Sequence, residues 1–269
     1  MAIESVLQQS FEDFEIVISN GGSTDNTGDV VKQFSDPRIK YFESAKRLSV
    51  GDNYQTGLEN ASGEYITFLS DDDAFSLNTI KEVEEAIRGH ECDVLVFKSA
   101  FYFDSEGTYG AVPVRQNSLV VPNHTGEVTK FSRDEAIKGV FSNFGLGDQV
   151  NKRFNVSYLA NAVYHRSVLT KISQQRPKVF DLTPADGYLA AAVAFAADSY
   201  YCWDKPLHVW TDWAENATAT AEKKGDGLRN HYESLLQGNA LMNVPLKFAL
   251  PLNCTYNSLL TAKDDFTNE

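Results

Sequence analysis

Apolar positions along the first hundred residues follow two alternating rhythms. Ile3, Val6 and Leu7 recur at helical spacing and predict a short helix within Ala2 to Phe11. Glu15-Ile16-Val17-Ile18-Ser19 is a compact apolar run and reads as a strand. It enters a Gly-rich turn, Asn20-Gly21-Gly22-Ser23-Thr24-Asp25-Asn26-Thr27, where Thr24 or Asp25 can cap a helix reaching about Phe34. Ile39 to Phe42 predicts a second short strand. Val50 to Asn60 predicts a helix with Tyr54 and Leu58 turned inward, closed by Ala61-Ser62-Gly63. Tyr65 to Leu69 is almost continuously apolar or β-favouring, which predicts a strand buried on both faces of a parallel sheet. A helix over Leu77 to Arg88 and a strand over Asp93 to Phe103 follow.

Strands and helices in strict alternation imply βαβ units with right-handed crossovers. The fold class expected is α/β: a Rossmann-like, mostly parallel central sheet flanked by helices. Beyond residue 103 the texture changes. Residues 104 to 131, rich in Gly, Pro, Asn and Val, read as loops or a small antiparallel excursion. Ser132-Arg133-Asp134-Glu135 is a capping box that opens a helix. Val156 to Tyr164 is strand-like and Ser167 to Gln174 helical. Pro184 to Ala197 is an Ala-rich, largely apolar and therefore buried helix. Tyr200 to Trp203 and Leu207 to Thr211 read as two strands, and the tail as helical around Asn230 to Gln237.

Composition narrows the classes. Hydrophobic residues make up 42% of the 269 and charged residues 23%, as in ordinary globular proteins. The net charge of −13 lacks the basic footprint that a general nucleic-acid binder needs to displace counterions. Cys92, Cys202 and Cys254 are scattered, without CxxC spacing, so neither a disulfide framework nor a zinc site is indicated. No run approaches the ~18–20 apolar residues of a membrane span, and no signal peptide opens the chain. The expected location is therefore cytoplasmic, and the five Asn-X-Ser/Thr sequons read as coincidence.

Candidate chemistry begins where the strand over 65–69 ends, in Asp71-Asp72-Asp73. Acids at the carboxyl end of a strand in an open α/β sheet stand where ligands gather. They suit Mg²⁺ or Mn²⁺ shared with substrate phosphates, or they are simply a solvated turn; the residues alone leave both readings open. The Gly-rich turn is neither a Walker A sequence nor GxGxxG, and by itself need only reverse the backbone.

Taken together, three stretches say more. "ISNGGSTDNT", the helix carrying Gly51-Asp52-Asn53 with Gly57-Leu58, and "NASGEYITFLSDDD" follow one another within about 60 residues. In order and spacing they resemble the nucleotide-binding half of bacterial family 2 glycosyltransferases of the GT-A fold. Ala162-Val163-Tyr164-His165-Arg166 and Pro184-Ala185-Asp186-Gly187-Tyr188 look, more loosely, like the acceptor-side segment of the same family. The resemblance implies transfer of a sugar from a nucleoside-diphosphate donor to a hydroxyl on a glycan, lipid-linked or other acceptor, inverting and assisted by Mn or Mg, in glycan or polysaccharide assembly. Residues 1–105 would form the nucleotide-sugar half, and 106–269 the acceptor half with a helical tail. Peripheral membrane contact and oligomerisation are compatible with it.

Residue by residue, the resemblance places Asp72 as the chief metal ligand. Asp71 assists the metal or contacts ribose, and Asp73 stands behind them or caps a helix. Asn20 stands where the family usually has an Asp that reads the base. Arg47 and Asn53 would contact diphosphate or nucleoside; a solvated Arg and a surface Asn are the plain alternatives. Asp186 is the candidate general base, with helix capping as its alternative. His165 reads as a buried, satisfied histidine, and Trp203, Trp210 and Trp213 as core. The resemblance also implies one more strand ahead of Ala2, central between those at 15–19 and 64–69. The chain is expected to lack it, those two strands closing on each other or leaving unpaired edges. A non-catalytic remnant of the fold that binds nucleotide sugar weakly is the alternative reading, and a phosphate-handling hydrolase using the Asp cluster is a third.

Overall fold

The computed structural model describes residues 1–109, 112–144, 153–180, 182, 185–212 and 251–267. Eight helices lie among them: α1 (Ala2–Leu7), α2 (Thr27–Val31), α3 (Val50–Asn60), α4 (Thr79–His90), α5 (Arg133–Asn143), α6 (Arg166–Gln175), α7 (Ala185–Ala196) and α8 (Pro251–Thr267). Local chemistry sets their ends. The Ser49 hydroxyl accepts the Asp52 N–H and starts α3, while a reciprocal Ser132–Glu135 capping box starts α5. Helix α4 begins two residues later than its apolar pattern, because Asn78 takes a left-handed conformation (φ 63°) that no helix can continue. Leu77 is thereby left 73% exposed.

Among the described residues eleven strands form three sheets. β1 (Ile16–Asn20) and β2 (Ile39–Glu43) pair in parallel as a two-stranded ribbon. The main sheet runs β3 (Tyr65–Thr67), β10 (Ala162–His165), β5 (Val94–Phe103), β11 (Tyr200–Asp212), β4 (Ala74–Phe75), with β8 (Ser118–Val120) on β5 and β9 (Val128–Phe131) on β11. A small hairpin, β6 (Gly107–Tyr109) with β7 (Val112–Val114), stands apart. Successive residues of β5 serve opposite faces, as strand geometry demands. Val94 and Val96 join the core under α5, α6, α7 and α8; Leu95 and Phe97 join the core under α4. The result is three layers, helices on either side of one sheet. α7 is buried around most of its circumference, and its alanines let the neighbouring helices approach closely.

The α/β class holds, but the sheet is mixed rather than mostly parallel. β10 runs antiparallel between β3 and β5, and β4, β8 and β9 also pair antiparallel. Among the described residues only β5–β11 and β1–β2 are parallel. The strand after residue 63 is also shorter than its apolar run. β3 ends at Thr67, and only Ile66 and Phe68 are buried, so the segment alternates in and out instead of being covered on both faces. Val156 to Tyr164 is split: strand begins at Ala162, after a short 3₁₀ turn over Leu159–Asn161. The two strands expected over 200–211 are one, which absorbs Pro206 through register shifts between Trp203 and His208. Strands from both sides of residue 105 share the main sheet. The helix expected over 230–237 lies outside the described residues.

Candidate functional site

The β1–β2 ribbon is tied to the rest by side chains. The Glu15 carboxylate accepts the N–H of Ser62 and of Gly63 and pairs with Lys40, while the Arg166 guanidinium donates to the carbonyls of Ala61 (3.0 Å) and Gly63 (2.8 Å). The turn that launches β3 is thus clamped by an anion and a cation. Burial opposes ionisation of Glu15, but Lys40 and the bonds from Ser62 and Gly63 prevail and pull its pKa down to about 2.

After β1 the chain makes its Gly-rich turn. Gly22 has φ +83°, and a Cβ there would lie 2.6 Å from the Lys46 carbonyl oxygen, so glycine is required on both counts. The Leu48 N–H donates to the Gly21 carbonyl (2.8 Å), which lays residues 44–48 along the turn and brings Arg47, exposed, beside Gly22. Asn20 is only 5% exposed. Its amide oxygen accepts the Ser23 N–H (2.9 Å), and its nitrogen donates to the Tyr41 hydroxyl (2.9 Å). Its amide therefore braces the turn from within. Asn53, in the first turns of α3, accepts a bond from the Ser19 hydroxyl (2.7 Å) and lies against Gly21. Asn20, Arg47 and Asn53 therefore gather around one turn.

Beyond β3, the Asp73 N–H closes a β-turn on the Ser70 carbonyl (3.2 Å), with Asp71 and Asp72 at its centre. The three acids have three environments. Asp71 is exposed, Asp72 partly buried, and Asp73 only 4% exposed. Burial first, then the charges of Asp73 and Asp71, push the Asp72 pKa up. A carboxylate destabilised in this way is one that a cation would relieve. Asp73 faces inward instead: its Oδ1 accepts the Thr211 N–H (3.0 Å) and its Oδ2 meets His208 Nε2 (3.1 Å). The Thr211 hydroxyl donates to the Asp72 carbonyl.

Asp186 lies in the first turn of α7, inside the helix rather than at its cap, and its Oδ1 accepts the Gly187 N–H (2.9 Å). Enclosure by protein raises its pKa despite that bond. Its charge reaches the hydroxyls of Tyr54, Tyr158 and Tyr164. Tyr54 is the link between the two acid groups. Burial raises the pKa of its hydroxyl, Ser70 opposes the rise, and the charges of Asp186, Asp73 and Asp71 add to it. Its ring packs edge-on against Phe68 (5.8 Å) and tilted against Phe180 (5.6 Å). Through Phe68 and Phe180, Tyr54 joins the segment that leads into the acidic turn to the segment that precedes Asp186.

Other positions depart from their sequence reading. His165 is a half-exposed cap on α6, its Nδ1 within 2.7 Å of the Ser167 hydroxyl and its ring on Tyr65 (5.0 Å), at the start of β3 and so at the end opposite the acids. It caps because a ring nitrogen reaches a free N–H of the helix's first turn. Trp210 is 39% exposed, lying on Phe101 (5.8 Å) next to Thr211 rather than in the core. Trp203, by contrast, packs partly buried against the core under α4 as expected, and donates to the Gly126 carbonyl (3.0 Å); Trp213 is outside the described residues. His208, Thr211 and Ser99 carry no sequence signal: nothing in a strand pattern marks a histidine as the partner of an acid 135 positions away. Among the described residues no group of three or more His, Cys, Asp or Glu could hold a metal by itself. Asp71 and Asp72 instead offer the one or two carboxylates that Mg²⁺ or Mn²⁺ uses when phosphates complete its shell. No helix among the described residues is long and apolar enough to cross a membrane.

Known proteins resemble this chain in sequence and in fold. GlyA, a glycosyltransferase of Streptococcus pneumoniae serotype 4, is 36% identical over 110 residues, which is 40% of this chain and 16% of GlyA. The Campylobacter jejuni GalNAc(5)-diNAcBac-PP-undecaprenol beta-1,3-glucosyltransferase is 31% identical over 170 residues, 60% of this chain and 51% of that protein. The chain spans about half or less of the length of these curated relatives. The crystal structure of S. aureus TarS 1-349 in complex with UDP-GlcNAc superposes with a TM-score of 0.61 at 16% identity, over 99% of this chain and 69% of TarS 1-349, a likeness of fold. The family model for glycosyl transferase family 2 matches residues 1–172, well over half of the chain, and the protein belongs to that family.

Proposed function

We propose that the protein transfers a sugar from a UDP-sugar to an acceptor hydroxyl with inversion, in the assembly of a bacterial glycan. The observation that carries this reading is the packing of Tyr54 between Phe68, on the segment that enters the Asp71–Asp72 turn, and Phe180, on the segment ahead of Asp186. Family membership supports it, as do the undecaprenol-linked acceptor in the name of the Campylobacter relative and the UDP-GlcNAc bound by TarS. A lipid-linked acceptor is the class those names favour.

In this reading residues 1–105 hold the donor. The turn built on Asn20, with Arg47 beside it and Asn53 behind it, receives the nucleoside and diphosphate. Asp72, with Asp71, would hold Mg²⁺ or Mn²⁺. Neutralising charge on the departing diphosphate is the chemistry such a cation supplies. The acceptor half, 106–269, contributes Asp186. Its carboxylate takes the proton from the acceptor hydroxyl as that oxygen bonds to the anomeric carbon and the bond to the UDP oxygen breaks. A base with a raised pKa is better matched to neutral pH than an ordinary aspartate.

Calorimetric titration with UDP, GDP and dTDP in Mn²⁺ tests the donor site. UDP binding should require the metal and weaken about tenfold or more in Asp72→Ala. Metal-independent binding, or none, refutes the reading. Asp186→Asn should keep UDP affinity while turnover falls by about 10²-fold or more; full turnover moves the base elsewhere.

A further inference from the structure

The third aspartate of the acidic turn has a partner set of its own. β5 and β11 run parallel, with Ser99 opposite His208 and Phe101 opposite Trp210. The contacts confirm one shared face: the Ser99 hydroxyl lies 2.8 Å from His208 Nδ1, and the Trp210 ring lies on Phe101. His208 Nε2 reaches Asp73 Oδ2 at 3.1 Å, and Phe75 covers the imidazole edge-on at 6.4 Å. His208 is 2% exposed and Thr211 2%. A line of four bonded groups, Ser99, His208, Asp73 and Thr211, therefore runs from the middle of the sheet to the metal-proposed turn, the last three buried and Ser99 partly so.

Burying an aspartate and a histidine together is a poor way to gain stability, since the desolvation cost is about as large as the attraction. What a fully bonded buried network supplies is a single geometry. Both Asp73 oxygens are engaged from β11, so the carboxylate cannot rotate toward the ligand side. The Thr211 hydroxyl fixes the Asp72 carbonyl from the same strand. Resting on the donor-site reading above, we infer that His208 is a positioning residue. With Ser99 and Thr211 it holds Asp73 inward, so that Asp71 and Asp72 face the cation and diphosphate at a set separation. The acidic run is thus two ligands and an anchor, and the anchor is held by β11.

Three variants test this against a merely structural role. His208→Phe keeps a ring but donates nothing; His208→Gln retains an N–H near the Nε2 position; Thr211→Val removes only the hydroxyl. UDP affinity is measured by calorimetry with and without Mn²⁺, and folding by circular dichroism and thermal melting. The expected result is a tenfold or greater loss of Mn²⁺-dependent UDP affinity in His208→Phe, recovered to within threefold of wild type in His208→Gln. Without Mn²⁺, UDP binding stays undetectable in both, as in the wild type. Thr211→Val loses threefold or more of the metal-dependent part and carries the test should His208→Phe fail to fold. Folded variants that bind UDP–Mn²⁺ as tightly as wild type overturn the inference while leaving the donor site standing. Wild-type protein that shows no metal-dependent binding overturns both.

Discussion

Gly51 offers a test of how the two halves of the site are joined. It lies in the first turn of α3, at helical φ, and a Cβ placed there would lie 1.8 Å from the Phe180 carbonyl oxygen. The segment at 178–180 is laid across this turn. The Val179 N–H donates to Gln55 Oε1 (3.0 Å), the Lys178 ammonium pairs with Asp52 (2.9 Å), and the Phe180 ring packs on Tyr54. The same segment leads to Asp186. In Gly51→Ala, Phe180 must retreat from 1.8 Å to at least the 3.0 Å that real Cβ contacts keep. Overpacking of that kind costs about 1–3 kcal/mol, and loosening the bond to Gln55 about 1 more. Against this stands a gain of up to ~1 kcal/mol from replacing glycine in a helix. Gly57, in the same helix, supplies the control, since a Cβ there meets nothing within 4 Å. Gly57→Ala should therefore stabilise by about 0.5–1 kcal/mol and Gly51→Ala destabilise by about 1–3, read from urea denaturation midpoints. In Gly51→Ala the displaced segment should also lower turnover about tenfold or more while UDP affinity holds, because small misplacements near a base are costly. If both variants stabilise equally, the segment does not press on α3 and the coupling argued from it is wrong.

Two further predictions concern pH. The folded-state pKa of Glu15 is about 2 against 4.5 for the free side chain, so its contribution is complete above pH 4.5 and disappears as pH falls through that window. Glu15→Gln should flatten the thermal midpoint between those limits, and an unchanged acid limb would show that the clamp on Ser62 and Gly63 is not held by charge. Asp186 has the opposite sign. Its folded pKa is raised, so the folded state keeps a proton that the unfolded chain releases, and stability falls as pH rises from 3.8 through the raised value. Asp186→Asn should accordingly melt higher than wild type at neutral pH while losing turnover, the trade expected where a charge is buried for function; a lower melting point contradicts that account of its environment.

The parts of this fold that sequence alone conveys are those fixed by neighbours in the chain. Helix α3 takes the bounds its apolar spacing and the Ser49 cap dictate, and the Ser132–Glu135 box opens α5 where the motif stands. The parts it does not convey are fixed by pairing at a distance. Nothing in Ala162–His165 says that this strand enters the sheet antiparallel between β3 and β5, since both directions accept the same apolar residues. The candidate site divides in the same way. Asp71, Asp72 and Asp73 are indistinguishable as letters, and helix capping fits Asp73 as well as ligation does. What separates them is β11. Two residues more than 130 positions along, His208 and Thr211, take up the third carboxylate, while Asp71 is exposed and Asp72 partly buried. A run of acids after a strand is thus only a set of candidates, and the partner strand decides which of them can meet a ligand. The same logic applies to Asn20. By resemblance to the family it stands where an acid would read the base, yet in the fold its amide is committed to Ser23 and Tyr41, so its first duty is to shape the turn that the donor would enter. Substituting Asn20 would therefore change the pocket's backbone before it changed any contact with a base.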